Sequence, residues 1–403
     1  MNQLVLHRVL WARALRAFGD GYVSLLLPVY LTVLGMDPFQ IGVMATGTLL
    51  GSGVLTLLVG LHAWRFRYRT LLLVAAAIMA GTGIGFASIT QFWPLLLIAV
   101  VGTINPSSGD ASIFHPLEHA ILSRSVEDKR RTAAFARYSL VGALVAALGS
   151  LAAGFPNVLA GAFSLDHRVA LQAMFLLYAF LGVASALLYR QIPVDRAETM
   201  PVAHAPLKRS KKIVYTLAAL FSLDSFGSGF IVQSMLVLWL FEKYQLSTAL
   251  AGTIFFWTGV LTAFSYLVAV RIADRIGLVN TMVFTHLPSS VLLIMVPFAP
   301  SLTWAIALLL ARAALSQMDV PTRSSYVMAI VPPEERAAAA SVTAVSKTFA
   351  SAIGPLLAGY LFSLSSFGWP LVVGGVLKIV YDLLLLRMFG TVRPLEEQAQ
   401  ASH

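Results

Sequence analysis

Residues 70–90 read TLLLVAAAIMAGTGIGFASIT, and none of these 21 side chains is charged. A run of roughly 20 apolar residues is long enough for a helix to cross the hydrocarbon core of a membrane. Similar runs recur along the 403-residue chain, in which 58% of residues are hydrophobic and only 11% are charged. Soluble proteins average about 25% charged residues. The composition therefore excludes an ordinary globular protein and predicts a membrane protein.

The apolar runs and the breaks between them predict an all-α membrane protein with about 12 transmembrane helices. These spans are expected near residues 9–35, 40–61, 70–90, 94–121, 138–160, 168–189, 213–241, 248–270, 279–298, 302–330, 340–363 and 368–388. The chain has no cysteine, which excludes a disulfide framework and a thiolate metal site.

Basic residues divide unequally between the two sets of predicted loops. Loops on the side of the N-terminus carry Arg65, Arg67, Arg69, Arg124, Lys129, Arg130, Arg131, Arg190, Arg196, Lys208, Arg209, Lys211, Lys212, Arg271, Arg275 and Arg336. The opposite loops carry only Arg168 and Lys243. Since basic loops stay inside, we predict a multi-pass protein of the cytoplasmic (inner) membrane with both termini in the cytoplasm.

Two parts of the sequence recur in the second half of the chain. Phe-Gly-Asp20-Gly-Tyr in the first span matches Ser-Leu-Asp224-Ser-Phe in the seventh. The second match is an acidic pair followed by a small-residue helix, which ends at Gly154 in the first half and at Gly359 in the second. Parallel six-span repeats with a substrate site between them are one known plan of transporters.

The repeats and a polar, proline-containing stretch between them divide the chain into four parts. They are an N-terminal six-helix bundle (1–190), a cytoplasmic linker (191–212), a C-terminal six-helix bundle (213–390) and a cytoplasmic tail (391–403).

The loop after the eighth span contains Val-Arg-Ile-Ala-Asp274-Arg275-Ile-Gly277. Together with the span count, this loop resembles the Gly-x-x-x-Asp-Arg-x-Gly-Arg-Lys pattern of the major facilitator superfamily. The resemblance covers the whole chain and implies that Asp274, Arg275 and Gly277 form a cytoplasmic latch that helps to set the alternating-access equilibrium. The first-half copy has Trp64 where the family has the aspartate.

The family's drug-antiporter signature in the fifth span is incomplete. Gly142, Gly149 and Gly154 are present without a Gly-Pro pair, whereas Gly354-Pro355 lies in the eleventh span. We interpret these small residues first as sites of close helix packing. Efflux is the expected direction, and an uptake permease is the alternative.

Four aspartates stand out inside predicted spans, where an ionisable group costs roughly 2.5–3.5 kcal/mol and marks either a buried pair or a functional cavity. They are Asp20, Asp110, Asp224 and Asp319, in the first, fourth, seventh and tenth spans, which the resemblance places around the central cavity. Such a ring of carboxylates suits proton coupling or a cationic substrate.

Local spacing suggests which charges are simply paired. Arg16 precedes Asp20 by four residues, and Asp319 precedes Arg323 by four. The pair Lys378 and Asp382 has the same spacing in the last span, and we interpret it as structural.

Asp110 and Asp224 have no basic residue three or four positions away. We therefore interpret them as the best sites for a transported proton. The alternative is that Arg312, Lys347 or His286 neutralises them from another helix.

A competing motif, His115-Pro-Leu-Glu118-His119, matches the His-x-x-Glu-His pattern of zinc peptidases. The proline disturbs the turn between the histidines, and no clear third ligand follows. We therefore predict a transporter without a resident metal and keep a metallo-hydrolase as a remote alternative. A nearer alternative is a carrier that binds a transition metal as cargo through His115, His119, Asp110 and Asp20.

We thus predict a monomeric, proton-coupled secondary transporter of a small solute, without enzyme activity, cofactor or nucleic-acid partner. The sequence contains no Gly-x-x-x-x-Gly-Lys-Ser/Thr run, the pattern that would indicate ATP as the energy source. The predicted pathway residues are Asp20, Asp110, Asp224, Asp319, Arg16, Arg312, Arg323 and His115. The acids favour a cation or neutral amphiphile, although Arg13, Arg16, Arg312 and Arg323 could receive an anion.

The basic loops make the topology testable by reporter fusions. Fusions after Arg69, Arg131, Lys212 and Arg393 are expected to report a cytoplasmic location, and a fusion after Phe367 an external one. An external signal at Lys212 would contradict the arrangement of six spans on each side of the linker.

Overall fold

The structure is a computed structural model that describes residues 3–62, 66–107, 112–125, 128–192, 207, 209–332 and 335–390. This described part contains sixteen α-helices and no strand. The first eight are α1 (Gln3–Val33), α2 (Pro38–His62), α3 (Tyr68–Ser88), α4 (Phe92–Val101), α5 (Phe114–Ser125), α6 (Asp128–Leu151), α7 (Phe155–Phe163) and α8 (His167–Arg190). The others are α9 (Lys211–Gly229), α10 (Gln233–Tyr244), α11 (Thr248–Ile276), α12 (Leu278–Met295), α13 (Leu302–Leu315), α14 (Asp319–Ile330), α15 (Arg336–Leu364) and α16 (Trp369–Phe389).

Eight helical segments of the described residues are long and apolar enough to cross a membrane, and α4 and α13 are shorter apolar helices. The predicted number of about 12 is reached when α4, α13, α1 and α15 are counted as spans. Both α1 and α15 are long, but their charged and polar residues lower their mean hydropathy. Among them, Arg16 of α1 and Lys347 of α15 belong to the buried polar groups described below.

Two predicted spans are interrupted at corresponding places in the two halves. The span predicted at 94–121 contains α4 and α5, and non-helical residues 102–107 follow α4 directly. The span predicted at 302–330 contains α13 and α14, with a turn at 316–318 between them. The fourth and tenth predicted spans are thus both interrupted. Broken helices of this kind are typical of transport pathways.

Contacts within the chain define two compact units. The first unit comprises Met1–Met200 and Val232–Gly259, and the second comprises Pro201–Ile231 and Val260–His403. The sequential boundaries expected between the two bundles and the linker stay a prediction.

In each unit, a glycine lets two long helices approach each other closely. A Cβ atom at Gly149 of α6 would lie 3.0 Å from the Cα of Phe18 in α1. In the second unit, a Cβ at Gly354 of α15 would lie 2.6 Å from the backbone nitrogen of Phe230, just after α9. The two glycines occupy matching positions of the internal repeat, and their contacts confirm the close-packing interpretation of this small-residue pattern.

A carboxylate joins the start of α9 to the start of α15. The side chain of Glu335 accepts hydrogen bonds from the backbone N–H groups of Arg209 and Ser210, at 2.9 and 3.1 Å, and from the Ser210 hydroxyl. Glu335 is buried. The C-terminal end of the predicted linker is therefore fixed to the second unit.

We expect Gly149→Ala and Gly354→Ala each to lower the melting temperature of the detergent-solubilised protein, because overpacking a tight contact costs about 1–3 kcal/mol. Gly81→Ala in α3 is the matched control, since a Cβ there meets no atom within 4 Å. Equal melting temperatures for all three variants would show that the close contacts do not limit stability.

Candidate functional site

Five helices of the second unit, α9, α12, α14, α15 and α16, contribute to a buried apolar core. It includes Phe221, Met282, Tyr326, Tyr381 and Leu385. The core positions the polar side chains that lie beside it: the guanidinium of Arg323 lies 5.0 Å from the ring centre of Phe221 and 5.5 Å from that of Tyr381.

Asp224 of α9 is the centre of this polar group. Its Oδ2 accepts a hydrogen bond of 2.9 Å from Arg323 of α14, and its Oδ1 accepts one of 2.8 Å from Lys378 of α16. All three side chains are buried. A carboxylate with two basic partners in a buried setting is fully compensated, and it ties α9 to two other helices.

His286 of α12 extends the group towards a second carboxylate. Its Nδ1 lies 3.0 Å from both oxygens of Asp382, and its Nε2 lies 3.5 Å from Asp224 Oδ1 and 3.4 Å from the Nζ of Lys378. Lys378 also donates to Ser228 Oγ at 2.7 Å. Each ring nitrogen of His286 therefore faces a carboxylate, and the imidazole lies between Asp382 and Asp224.

Arg323 also binds Asp319, one turn earlier in α14, as its i,i+4 spacing predicted. Single oxygen or nitrogen atoms of Asp224, His286 and Asp319 lie within 4.8 Å of one another, which is close enough for shared metal ligands. Arg323 and Lys378, however, already bind the carboxylate oxygens that a divalent ion would need. The arrangement fits a charge-compensated network better than a metal centre.

The first unit contains a second buried ion pair. Arg16 of α1 donates to Glu118 of α5, and the same carboxylate accepts hydrogen bonds from Tyr138 at 2.5 Å and from Tyr189 at 2.6 Å. Arg16 Nε donates to the Tyr189 hydroxyl at 3.1 Å, and its guanidinium lies 4.0 Å from the ring centre of Phe114. Arg16 and Glu118 are fully enclosed, with 2% and 0% exposure.

This pairing changes the meaning of the His-x-x-Glu-His motif. Glu118 is the counter-ion of Arg16 rather than a carboxylate that faces a water molecule. The rings of His115 and His119 lie 3.9 Å apart, centre to centre, in an edge-on arrangement, and the His119 ring stacks on Phe135 at 4.7 Å. The histidines thus pack within an aromatic group that includes Tyr138.

The structure separates some residues that sequence spacing had paired. Arg16 donates to Glu118 instead of Asp20, although Asp20 is buried within electrostatic range of Arg16. Lys378 binds Asp224 instead of Asp382, and this corrects the interpretation of Lys378 and Asp382 as a peripheral structural pair.

The partners of Asp224 were foreseen only in part. Of the three suggested cross-helix partners, His286 lies beside it, while Arg312 and Lys347 lie within electrostatic range without a hydrogen bond to it. Lys378 and Arg323 make the direct contacts. No local spacing links either of them to Asp224, so the sequence offered no signal for these pairs.

The structure describes the predicted latch residues and Arg13, but Asp110 lies outside the described residues. Asp274 and Arg275 lie exposed in the last turn of α11, and Gly277 ends that helix with a φ angle of +83°, a conformation that favours glycine. Arg13, the remaining predicted anion contact, is buried with its guanidinium 5.1 Å from the ring centre of Tyr138.

Comparison with known proteins identifies relatives along the whole chain. A sequence model described as Major Facilitator Superfamily matches residues 9–232 and 217–402. An uncharacterized membrane protein of Saccharomyces cerevisiae is 27% identical over 419 residues, which cover 95% of this chain and 93% of the yeast protein.

Solved structures show the same fold at low sequence identity. A bacterial homolog of the human lysosomal transporter Spinster matches with a TM-score of 0.76 and 17% identity, over 96% of this chain and 97% of that one. The nucleoside transporter NupG matches with a TM-score of 0.72 and 13% identity, over 96% and 99% of the two chains. These likenesses, with the two matches of the family model, confirm the predicted all-α membrane fold of two related halves.

The enclosed pair in the first unit predicts a large loss of stability for Glu118→Gln. Removing one partner of a buried ion pair costs about 3–5 kcal/mol, because the other charge stays buried. Tyr138→Phe removes only one hydroxyl donor and is expected to cost about 1 kcal/mol. Melting temperatures in detergent measure both changes. If Glu118→Gln were no less stable than Tyr138→Phe, Arg16 would not depend on Glu118 for its compensation.

Proposed function

The chain belongs to the major facilitator superfamily of membrane transporters, and we propose that it is a proton-coupled secondary transporter that moves a small solute by alternating access. The observation that carries the proton coupling is the position of Asp224, a buried carboxylate held by Arg323 and Lys378 and adjacent to His286. We further propose a location in the cytoplasmic membrane, with both termini in the cytoplasm, and efflux as the direction.

The charge state of Asp224 decides how many helices it connects. An ionised carboxylate can accept hydrogen bonds from both Arg323 and Lys378, as in this arrangement. A protonated one presents an O–H donor and has fewer acceptor positions, so one of these contacts weakens. Arg323 then keeps Asp319 and Lys378 keeps Ser228. A proton on Asp224 thus releases α9 from α14 or α16 without leaving either base alone.

His286 provides a route by which such a proton reaches Asp224. Histidine can take up a proton at one ring nitrogen and release it from the other. Its Nδ1 lies 3.0 Å from Asp382, and its Nε2 lies 3.5 Å from Asp224. We propose that Asp382, His286 and Asp224 exchange protons in this order or its reverse.

The latch is proposed from the family resemblance at Asp274, Arg275 and Gly277. Both charged side chains are exposed at the end of α11 and so are available to a partner that changes between conformations. A metal carrier is the less favoured function, because His115 and His119 pack on aromatic rings and the carboxylates of the second unit have basic partners.

We expect Asp224→Asn to abolish proton-driven accumulation while solute exchange continues. Asparagine keeps the shape and one acceptor of the carboxylate but does not titrate. The solute is first selected by a thermal-shift screen of the purified protein, since a ligand that binds only the native state raises its melting temperature. Proteoliposomes then measure accumulation under an imposed pH gradient and counterflow at equal pH.

Two further variants make this experiment decisive. Asp166→Asn is the matched control, because Asp166 is an exposed N-cap of α8 and asparagine caps a helix equally well. If Asp224→Asn is lost from the membrane, Asp224→Asn combined with Lys378→Met removes one charge of each sign and restores the balance. Undiminished proton-driven accumulation in a folded Asp224 variant would exclude this residue as the proton carrier.

A further inference from the structure

The second unit holds more basic groups than its carboxylates compensate. Asp224, Asp319 and Asp382 each have a partner within hydrogen-bond or ion-pair distance, namely Lys378, Arg323 or His286. Two further cations, Arg312 of α13 and Lys347 of α15, lie nearby. Among the described residues neither forms an ion pair or a hydrogen bond through its charged group.

Both cations lie close to the compensated network. Lys347 is within electrostatic range of Asp224, Asp319, Arg323 and Lys378, and Arg312 is within range of Asp224. Each side chain is only partly exposed. The two basic groups therefore flank the same network, from two helices that contribute no other charged group to it.

The depth of these residues argues against contact with lipid headgroups. At 1.5 Å per residue, Arg312 lies about 15 Å along α13 from its first residue, and Lys347 about 16 Å along α15. Trp304, near the start of α13, is exposed, as expected of an aromatic residue at the membrane interface. A basic group so far into a span carries a cost that a structural role would offset with a counter-ion.

The buried polar atoms without partners in the described part of the second unit are all able to donate. They are the Nε atoms of Arg312 and Arg323 and the hydroxyl of Tyr381. Tyr381 is fully buried, and the Arg323 guanidinium lies 5.5 Å from its ring centre. Among the described residues of this region, the buried side-chain groups left without a partner are therefore ones that an added acceptor would satisfy.

We infer that the transported solute is a small organic anion whose carboxylate or phosphate binds beside the Asp224 network, where Arg312 and Lys347 supply positive charge. This inference rests on the proposed transport function and names its substrate class. A cation would meet two positive charges that lack partners among the described residues, whereas an oxyanion supplies acceptors and can form charge-assisted hydrogen bonds with these side chains. The acid-rich cavity expected from sequence favoured a cation or a neutral amphiphile, but these acids of the second unit are already paired.

Matched pairs of compounds test the charge preference. The thermal unfolding of the full chain in detergent is recorded with benzoate, benzamide and benzylamine, and with glucose 6-phosphate and glucose, at constant ionic strength. We expect a saturable rise in melting temperature with at least one anion and none with its neutral or cationic partner. A short-chain phosphatidic acid forms a separate arm, and stabilisation by this lipid alone would assign the site to a lipid headgroup and overturn the inference.

Variants then locate the site. Lys347→Gln and Arg312→Gln are each expected to weaken the apparent affinity for the stabilising anion about tenfold or more, the loss of one charge-assisted hydrogen bond. Without the anion, neither variant is expected to melt earlier, because neither basic group has a partner to lose among the described residues. Arg387→Gln, an exposed cation in the last turn of α16, is the control and should keep the full anion response.

The outcomes separate this inference from the proposed function. Stabilisation by the neutral or cationic compounds alone, or an anion response that survives both substitutions, overturns the anion site and leaves proton-coupled transport untouched. Conversely, an anion response that depends on Lys347 and Arg312, without proton-driven accumulation of that anion, supports the site and contradicts the coupling.

Discussion

The second unit depends on the hydrogen bonds of one buried carboxylate, Asp224, whose charge is compensated by basic side chains instead of water. Its two oxygens bind Arg323 and Lys378, so that α9 is linked to α14 and to α16 through a single side chain. Every other polar contact in the network follows from this arrangement. Arg323 reaches Asp319, Lys378 reaches Ser228, and His286 takes the remaining space between Asp224 and Asp382. One proton added at this point changes the links among three helices.

Each half has a buried ion pair between its first helix and its interrupted fourth span, but the positions of the acid and the base are exchanged. In the first unit, the first helix provides the base, Arg16, and the interrupted fourth span provides the acid, Glu118. In the second unit, the first helix of the half provides the acid, Asp224, and the corresponding interrupted span provides the base, Arg323. The Glu118 carboxylate accepts from two tyrosine hydroxyls, whereas Asp224 lies 3.5 Å from a histidine nitrogen that can pass a proton onward. This difference is why the proposed coupling is assigned to the second unit.

Sequence patterns predicted the fold because composition and span length are properties of single segments. They also predicted the bond between Asp319 and Arg323, which lie one turn apart on the same helix. The spacing argument failed for Lys378 and Asp382, since Asp224 and His286 compete for them from other helices. Pairs such as Arg16 and Glu118 are 102 residues apart, and only the packing of helices brings them together. The charge balance of the site could not be derived from sequence for this reason.

The bond between Glu335 and the end of the linker has a consequence for how the two halves can be connected. Both backbone donors, Arg209 and Ser210, lie in the same unit as the Glu335 carboxylate that they bind. A chain cut before Leu207 would keep all three hydrogen bonds on one fragment, so the second half brings its own anchored N-terminus. Such an anchored start suits a segment that follows another one in a fused chain, because the hydrogen bonds that hold it are made within its own unit.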